Sequence, residues 1–302
     1  MKPLAVMLCC LGAWFTPAVA FGAAAASDPR TVTVKHLTPG ARVSTMASDR
    51  RRFFWFGTEE GLVRYDGFAL EPLRGPTMPT STIFALCAAA DGSLWIGTHG
   101  TKALRRLQEG AVAASTIQLP EGVTHVWAIV QGADEVFVGT NRGLFAVGLD
   151  LNAAPVPLAP LPNGEIRALL VARDQSLWVA HREGVGRLAS DGISVVNTMP
   201  FPSALVQDSQ GRVWAAHQSA NDLLVYNESG KEVQRFKSRP TKALLSDMDG
   251  TVWIATENGL WNATGLRAPV NLDVGQQRPV EGFKSCAPVA LKFAKRLVVQ
   301  TL

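Results

Sequence analysis

An aromatic strand phrase recurs six times along this chain of 302 residues at nearly constant spacing. The copies are Phe54-Trp55-Phe56-Gly57-Thr58, Leu94-Trp95-Ile96-Gly97-Thr98, Val136-Phe137-Val138-Gly139-Thr140, Leu177-Trp178-Val179-Ala180-His181, Val213-Trp214-Ala215-Ala216-His217 and Val252-Trp253-Ile254-Ala255-Thr256. Their central aromatics step by 40, 42, 41, 36 and 39 residues. Such a period means stacked units, none of which can bury its own faces alone.

The phrase reads as a strand covered on both sides. Its apolar residues run continuously instead of alternating, as required when one sheet packs face to face against two neighbours. The residue two after each aromatic is always Gly or Ala, which suits a place where a neighbouring chain comes close. Stacked blades of a β-propeller meet all three requirements, and an ordinary sandwich explains neither the period nor the small residue.

Turn chemistry repeats in step. Asp91-Gly92, Asp134, Asp174, Gln210-Gly211 and Asp249-Gly250 precede the aromatics, where a tight turn must lead from a first strand (A) into the aromatic strand (B). Gly61-Leu62, Gly143-Leu144, Gly184-Val185 and Gly259-Leu260 follow six residues after the aromatic and predict a glycine loop into strand C. Repeats two and five depart from this pattern, reading His99-Gly100-Thr101-Lys102 and Gln218-Ser219-Ala220-Asn221. Pro39, Pro79, Pro120, Pro162, Pro202 and Pro240 are expected in the connections that enter each strand A, where no ladder donor is needed.

The expected fold is all-β: a seven-bladed propeller whose last blade is incomplete, or six blades with a loose tail. Val289–Phe293 resembles a strand A, and Arg296–Thr301 a degraded aromatic phrase with Val298 45 residues after Trp253. The alternating run Thr31–Leu37 would then serve as a donated outer strand for that blade. Residues 31–302 form one propeller domain on this reading, anchored at Trp55, Trp95, Phe137, Trp178, Trp214 and Trp253.

These repeats resemble the two-component regulator propeller family, whose pattern is Asp-x-x-Gly-x-Leu-Trp-Ile-Gly-Thr-x-x-Gly-Leu-x-Arg-Tyr-Asp-Gly. Asp49 to Gly67 carries the resemblance most fully, through Trp55-Phe56-Gly57-Thr58 and Gly61-Leu62-Val63-Arg64-Tyr65-Asp66-Gly67, together with the entry segment Val34-Lys35-His36-Leu37-Thr38. The resemblance implies the extracytoplasmic input half of a two-component or diguanylate cyclase receptor. This chain departs from that pattern by showing no output module. No blade closes on a Trp-Asp pair, so a WD40 reading is weaker.

The N-terminus is read as a signal peptide. Met1-Lys2 is followed by an apolar core from Leu4 to Phe15, a helix-breaking Pro17 and Ala18-Val19-Ala20. Cleavage is expected after Ala20, or as late as Ala26, which places the mature protein in the periplasm or outside the cell. No later segment is apolar enough to span a bilayer. Cys9 and Cys10 lie within the signal core, leaving Cys87 and Cys286, which are expected to be free thiols. A net charge of +4 without clustering gives nucleic-acid binding little support.

Glycine-loop, zincin, paired-cysteine and nucleophile-elbow signatures are all missing from the sequence. The expectation is a non-enzymatic sensor without cofactor or metal, taking a small polar ligand, with carbohydrates among the options, and working with a signalling partner. The alternatives are a lyase-type enzyme on the same scaffold, as in the streptogramin-inactivating group, and a stand-alone interaction propeller. The candidate ligand residues are those of the B-to-C loops: Glu59, Glu60, His99, Asn141, Arg142, His181, Arg182, Glu183, His217, Gln218, Glu257 and Asn258. His181 and His217 replace the phrase's final threonine in adjacent repeats. A metal or proton-transfer pair there competes with the commoner reading of two core-edge histidines.

Overall fold

A computed structural model describes residues 41–100, 103–150, 154–159, 164–189, 192–198, 202–217, 222–237, 241–246, 252–256, 259–262, 270–271, 289–293 and 296–300. The expected signal peptide, the Thr31–Leu37 strand, Gln218, Glu257, Asn258 and Cys286 lie outside the described residues.

Consecutive antiparallel strands group into sheets. The first contains β1 (Val43–Ser48), β2 (Phe54–Thr58), β3 (Gly61–Tyr65) and β4 (Leu70–Leu73). The second contains β5 (Ala85–Ala88), β6 (Leu94–Gly97), β7 (Leu104–Leu107) and β8 (Ser115–Ile117), and the third β9 (Val126–Gln131), β10 (Glu135–Thr140), β11 (Gly143–Gly148) and β12 (Val156–Ala159). The fourth is β13 (Ile166–Val171), β14 (Leu177–His181), β15 (Gly184–Ala189) and β16 (Gly192–Asn197). The fifth is β17 (Pro202–Gln207), β18 (Val213–His217), β19 (Asp222–Tyr226) and β20 (Glu232–Lys237). The sixth is β21 (Thr241–Ser246), β22 (Val252–Thr256), β23 (Gly259–Asn262) and the short β24 (Val270–Asn271). A final pair, β25 (Val289–Phe293) and β26 (Arg296–Gln300), follows.

The inner strands close into a ring. β1 touches β5, β5 touches β9, and the succession continues through β13, β17 and β21 to β25, which touches β1 in turn. This is a β-propeller with seven inner strands. The described residues supply two strands to the seventh sheet, consistent with an incomplete last blade.

The core lies between blades, and the phrase explains how. In the first five blades the aromatic faces the next blade, and the residues flanking the next blade's aromatic face back towards it. Trp55 packs with Leu94 and Ile96, Trp95 with Val136 and Val138, Trp178 with Val213 and Ala215, and Trp214 with Val252 and Ile254. Phe137, half-buried, takes the same role against Leu177 and Val179. Strand B therefore has no polar face, and its sequence cannot alternate.

The small residue two positions on shares the aromatic's face. A Cβ added at Gly57 would stand 2.7 Å from Ile83 Cγ2, one at Gly97 2.6 Å from Val126 Cγ1, and one at Gly139 2.7 Å from Ile166 Cγ2. The glycines thus admit an apolar residue at the entrance to the next blade's inner strand. Two backbone bonds confirm the approach: Ile83 N–H donates to Thr58 O at 3.0 Å, and Val126 N–H to Thr98 O at 3.0 Å.

Entry turns come in two kinds. Asp49 and Asp208 stand six residues before their tryptophans and accept the indole N–H, at 2.9 Å from Trp55 and 2.8 Å from Trp214. Asp91 and Asp174 stand four before, cap Ser93 and Ser176, and pair with Arg106 and Arg187 on strand C, whose guanidiniums lie 5.5 and 5.4 Å from the centres of Trp95 and Trp178. In repeat five the sequence pointed to Gln210-Gly211, yet the side chain that organises the turn is Asp208. Pro202 also departs from expectation. It is the first residue of β17, paired with His217, and not part of the connection. A strand's first position tolerates proline because an N–H is not yet required there.

Candidate ligand-binding rim

Five inner strands, β1, β9, β13, β17 and β21, begin with a bulge, and the bulged residue lies at the end of the strand next to the B-to-C loops. Pairing skips Ser44, Trp127, Arg167, Ser203 and Lys242. Phe84 is the counterpart in the second blade: its N–H reaches Gly97 O at 2.8 Å, and the next residue, Ala85, pairs with Gly97. Bulges re-aim side chains, so these six form one structural class.

They divide by chemistry around the ring. Ser44 and Ser203 stand between neighbouring blades, Ser44 donating to the carbonyl of Gly57 or of Ile83, and Ser203 at 3.3 Å to Ala216 O or 3.2 Å to Thr241 O. In blades two to four the class changes to Phe84, Trp127 and Arg167. The Phe84 and Trp127 rings lie 4.7 Å apart, and the Arg167 guanidinium sits 4.5 Å from the centre of Trp127 while pairing with Glu165 at 2.6 Å. His125 stacks on Trp127 with centroids 5.0 Å apart and planes 14° apart, and His99 follows at 5.8 Å from His125. The buried Trp127 indole N–H has no partner among the described residues. One side of the rim is thus a row of π faces ending in a cation, whereas the hydroxyls of Ser44 and Ser203 bond to backbone carbonyls.

The B-to-C loops play mixed parts. Asn141 is a structural clamp: its Oδ1 accepts the N–H groups of Thr124 at 2.9 Å and His125 at 3.0 Å, and its Nδ2 donates to Gly122 O at 3.2 Å. Arg142 lies against the same connection, with Nε 3.4 Å from Gly122 O. These contacts hold the segment that carries His125 and Trp127. Glu59 and Glu60 are exposed in the first blade, Glu59 pairing with Arg42 at 3.3 Å. Arg182 and Glu183 are exposed in the fourth.

His181 does the work of threonine. In the first and third blades, Thr58 and Thr140 accept the N–H of Glu60 at 3.1 Å and of Arg142 at 3.0 Å, and donate to Gly61 O and Gly143 O. His181 Nδ1 accepts the Glu183 N–H at 3.3 Å in the same way. Burial pushes its pKa below the ordinary 6.5, against the pull of Glu183, so the ring is neutral at neutral pH. His217 holds the equivalent place on β18, opposite Pro202.

Three residues central to this rim, Phe84, Trp127 and Arg167, escaped sequence reasoning, as did His125. Their signal is weak, since it consists only of position: each bulge residue lies 11 residues before its blade's aromatic in blades two, four and five, and 10 before in blade three. The opposite face has a groove of about 390 Å3 between the first two blades, lined by residues that include Asp49, Arg51, Phe53, Arg64, Glu71 and Glu109. Its charges satisfy one another, Arg64 with Glu71 at 2.5 Å and Arg51 with Glu109 at 3.0 Å. The rim instead gathers aromatic rings, two histidines and the exposed Arg167, and is therefore taken as the candidate site.

Comparison with known proteins agrees with the architecture. The family model described as two component regulator propeller matches residues 77–100. No curated protein sequence matches the chain. Among solved structures, the extracellular domain of BT4673 from B. thetaiotaomicron, described as belonging to a one component system, aligns with TM-score 0.63 at 20% identity over 76% of this chain. The chain spans only 33% of that domain's length. A catalytically inactive histidine-to-alanine variant of virginiamycin B lyase from Staphylococcus aureus, solved with quinupristin, aligns with TM-score 0.65 at 13% identity over 78% of this chain and 86% of the lyase. At such identities the likeness concerns the fold. Among the described residues no helix is long and apolar enough to cross a membrane. The chain is a β-propeller in which residues 77–100 match the model of the two-component regulator propeller.

Proposed function

We propose that this propeller is the ligand-binding part of an exported sensor, and that it takes a small polar ligand at the rim of blades two to four without chemical change. The observation that carries the reading is the substitution of serine by Phe84, Trp127 and Arg167 at three successive bulges. Aromatic faces beside a guanidinium suit flat apolar sugar faces and the carboxylates of acidic sugars. The family repeat and the fold shared with an extracellular sensor domain support the same reading.

The test is a thermal-shift screen of neutral and acidic mono- and oligosaccharides, followed by calorimetry on any hit. A ligand present at 100 times its Kd stabilises by about 2.7 kcal/mol. Trp127→Ala should abolish the shift, and mass spectrometry should recover the ligand intact. A ligand that stabilises Trp127→Ala as much as the unmodified protein would place binding elsewhere. A ligand returned cleaved or rearranged would favour the lyase alternative. Export is tested by the N-terminal mass of protein recovered from the periplasm, which should begin at Phe21, or at Ser27 for the later cleavage.

A further inference from the structure

We propose that His99 and His125 form a binding site for a first-row divalent transition ion, copper(II) or zinc(II), with water completing the coordination. The argument begins with the backbone. Val126 N–H donates to Thr98 O at 3.0 Å, and Gly100 N–H donates to Thr124 O at 2.7 Å. These two bonds flank an isolated antiparallel bridge between His99 and His125. The histidines are therefore a non-hydrogen-bonded pair, the position at which cross-strand side chains approach most closely, with Cβ atoms roughly 4.5–5.5 Å apart.

Ring geometry fits a shared ion. With a metal-to-nitrogen distance of about 2.0–2.1 Å, a metal in the ring plane lies roughly 3.2 Å from an imidazole centre. Centroids 5.8 Å apart then subtend about 130° at the ion. A modest rotation of His99, which is exposed, closes this to the tetrahedral angle. Among the described residues the His99 ring has no hydrogen-bond partner that would oppose the movement.

His125 is held ready. Its ring stacks on Trp127, its backbone N–H is fixed by Asn141 at 3.0 Å, and its Nδ1 lies 3.0 Å from Thr124 Oγ1. When Nδ1 carries the proton and donates to the threonine hydroxyl, Nε2 presents a lone pair. A second-shell partner at one ring nitrogen with the other free is the usual arrangement of a ligating histidine. Two neutral imidazoles without a carboxylate select borderline ions, copper(II) foremost, over calcium or magnesium. Among the described residues no group of three or more His, Cys, Asp and Glu is placed to hold a metal, so two positions or more would remain for water or for an anionic ligand.

The proposal stands apart from the sensor reading, because its test uses the metal alone. Copper(II) is titrated into the full chain, with bound metal measured by equilibrium dialysis and tryptophan emission followed in parallel. The expected result is one equivalent of copper that His99→Ala and His125→Ala each lose. Thr124→Val should weaken that equivalent about tenfold while leaving its stoichiometry intact. Because Trp127 stacks on a ligand, copper should quench part of the emission, and Trp127→Phe should bind copper but lack that part. Zinc(II) should compete for the same equivalent without quenching. Equal copper binding by the unmodified chain and by the folded His99→Ala variant would overturn the proposal. His99 is exposed, so its removal leaves the fold intact, and the variant's thermal midpoint checks this.

Discussion

Replacing Gly97 with alanine tests the claim that the small residue of each phrase exists to admit the next blade. The added Cβ would lie 2.6 Å from Val126 Cγ1, 3.0 Å from Val126 O and 3.1 Å from Ala85 Cβ. Val126 is fully buried and β-branched, so it has little freedom to turn aside. Overpacking of this kind costs about 1–3 kcal/mol, offset by roughly 0.5–1 kcal/mol gained by removing a glycine from a strand. The net loss should be about 1–2 kcal/mol, or several degrees in thermal midpoint. Val126→Ala alone leaves a cavity and costs about 2–3 kcal/mol. The informative measurement is the double variant in urea unfolding: each change relieves the other, so the combined loss should fall short of the sum by about 1 kcal/mol. Strict additivity, or a Gly97→Ala protein as stable as the parent, would refute the argument. The small residue would then need another explanation.

Further expectations follow from single groups. Asp208 accepts bonds from the N–H groups of Gln210 and Arg212, from Arg212 Nε at 2.7 Å and from Trp214 Nε1 at 2.8 Å, so Asp208→Asn should cost about 3 kcal/mol by leaving buried donors facing an amide, as equilibrium unfolding would show. Burial would raise this carboxyl, but the bonds from Trp214 and Arg212 prevail and hold it below 3.8; its contribution is therefore complete above that value and lost as pH falls through the folded value, and Asp208→Asn should show a flatter acid limb. His181 behaves in the opposite chemical sense with the same sign: the unfolded chain takes up its proton first, so stability falls as pH drops below 6.5, and His181→Thr should remove that part of the pH dependence measured between pH 7 and 5. Cys87 is free and burial pushes its thiol up to about 11, so a disulfide reagent at pH 8 should modify it slowly in the native protein and quickly in denaturant.

Much of the fold was legible because its physics is local and repeated. The continuous apolar phrase could only belong to a strand covered on both faces, and six copies at one period could only be stacked blades. The Gly and Ala residues announced a close approach, although not its object, and Ile83, Val126 and Ile166 proved to be that object. Loop glycines were equally plain, since Gly61, Gly143 and Gly184 do adopt positive φ.

The rim was legible only as a place. The sequence pointed to the B-to-C loops, and His99, Asn141 and Arg142 do gather there, but Asn141 and His181 turn out to be consumed by the backbone of their own neighbourhood. A polar loop residue looks the same in sequence whether its bonds face inward or outward. Trp127, Phe84 and Arg167 belong to different repeats, 43 and 40 residues apart, and no local pattern distinguishes a bulged inner-strand residue from one in the ladder. The sequence by itself determined the blade, because a blade's strands are neighbours in the chain and their periodicity is written there. Only the tertiary structure decided the site. Closing the ring sets one residue from each blade side by side, and a contact between residues tens of positions apart depends on where whole blades come to rest.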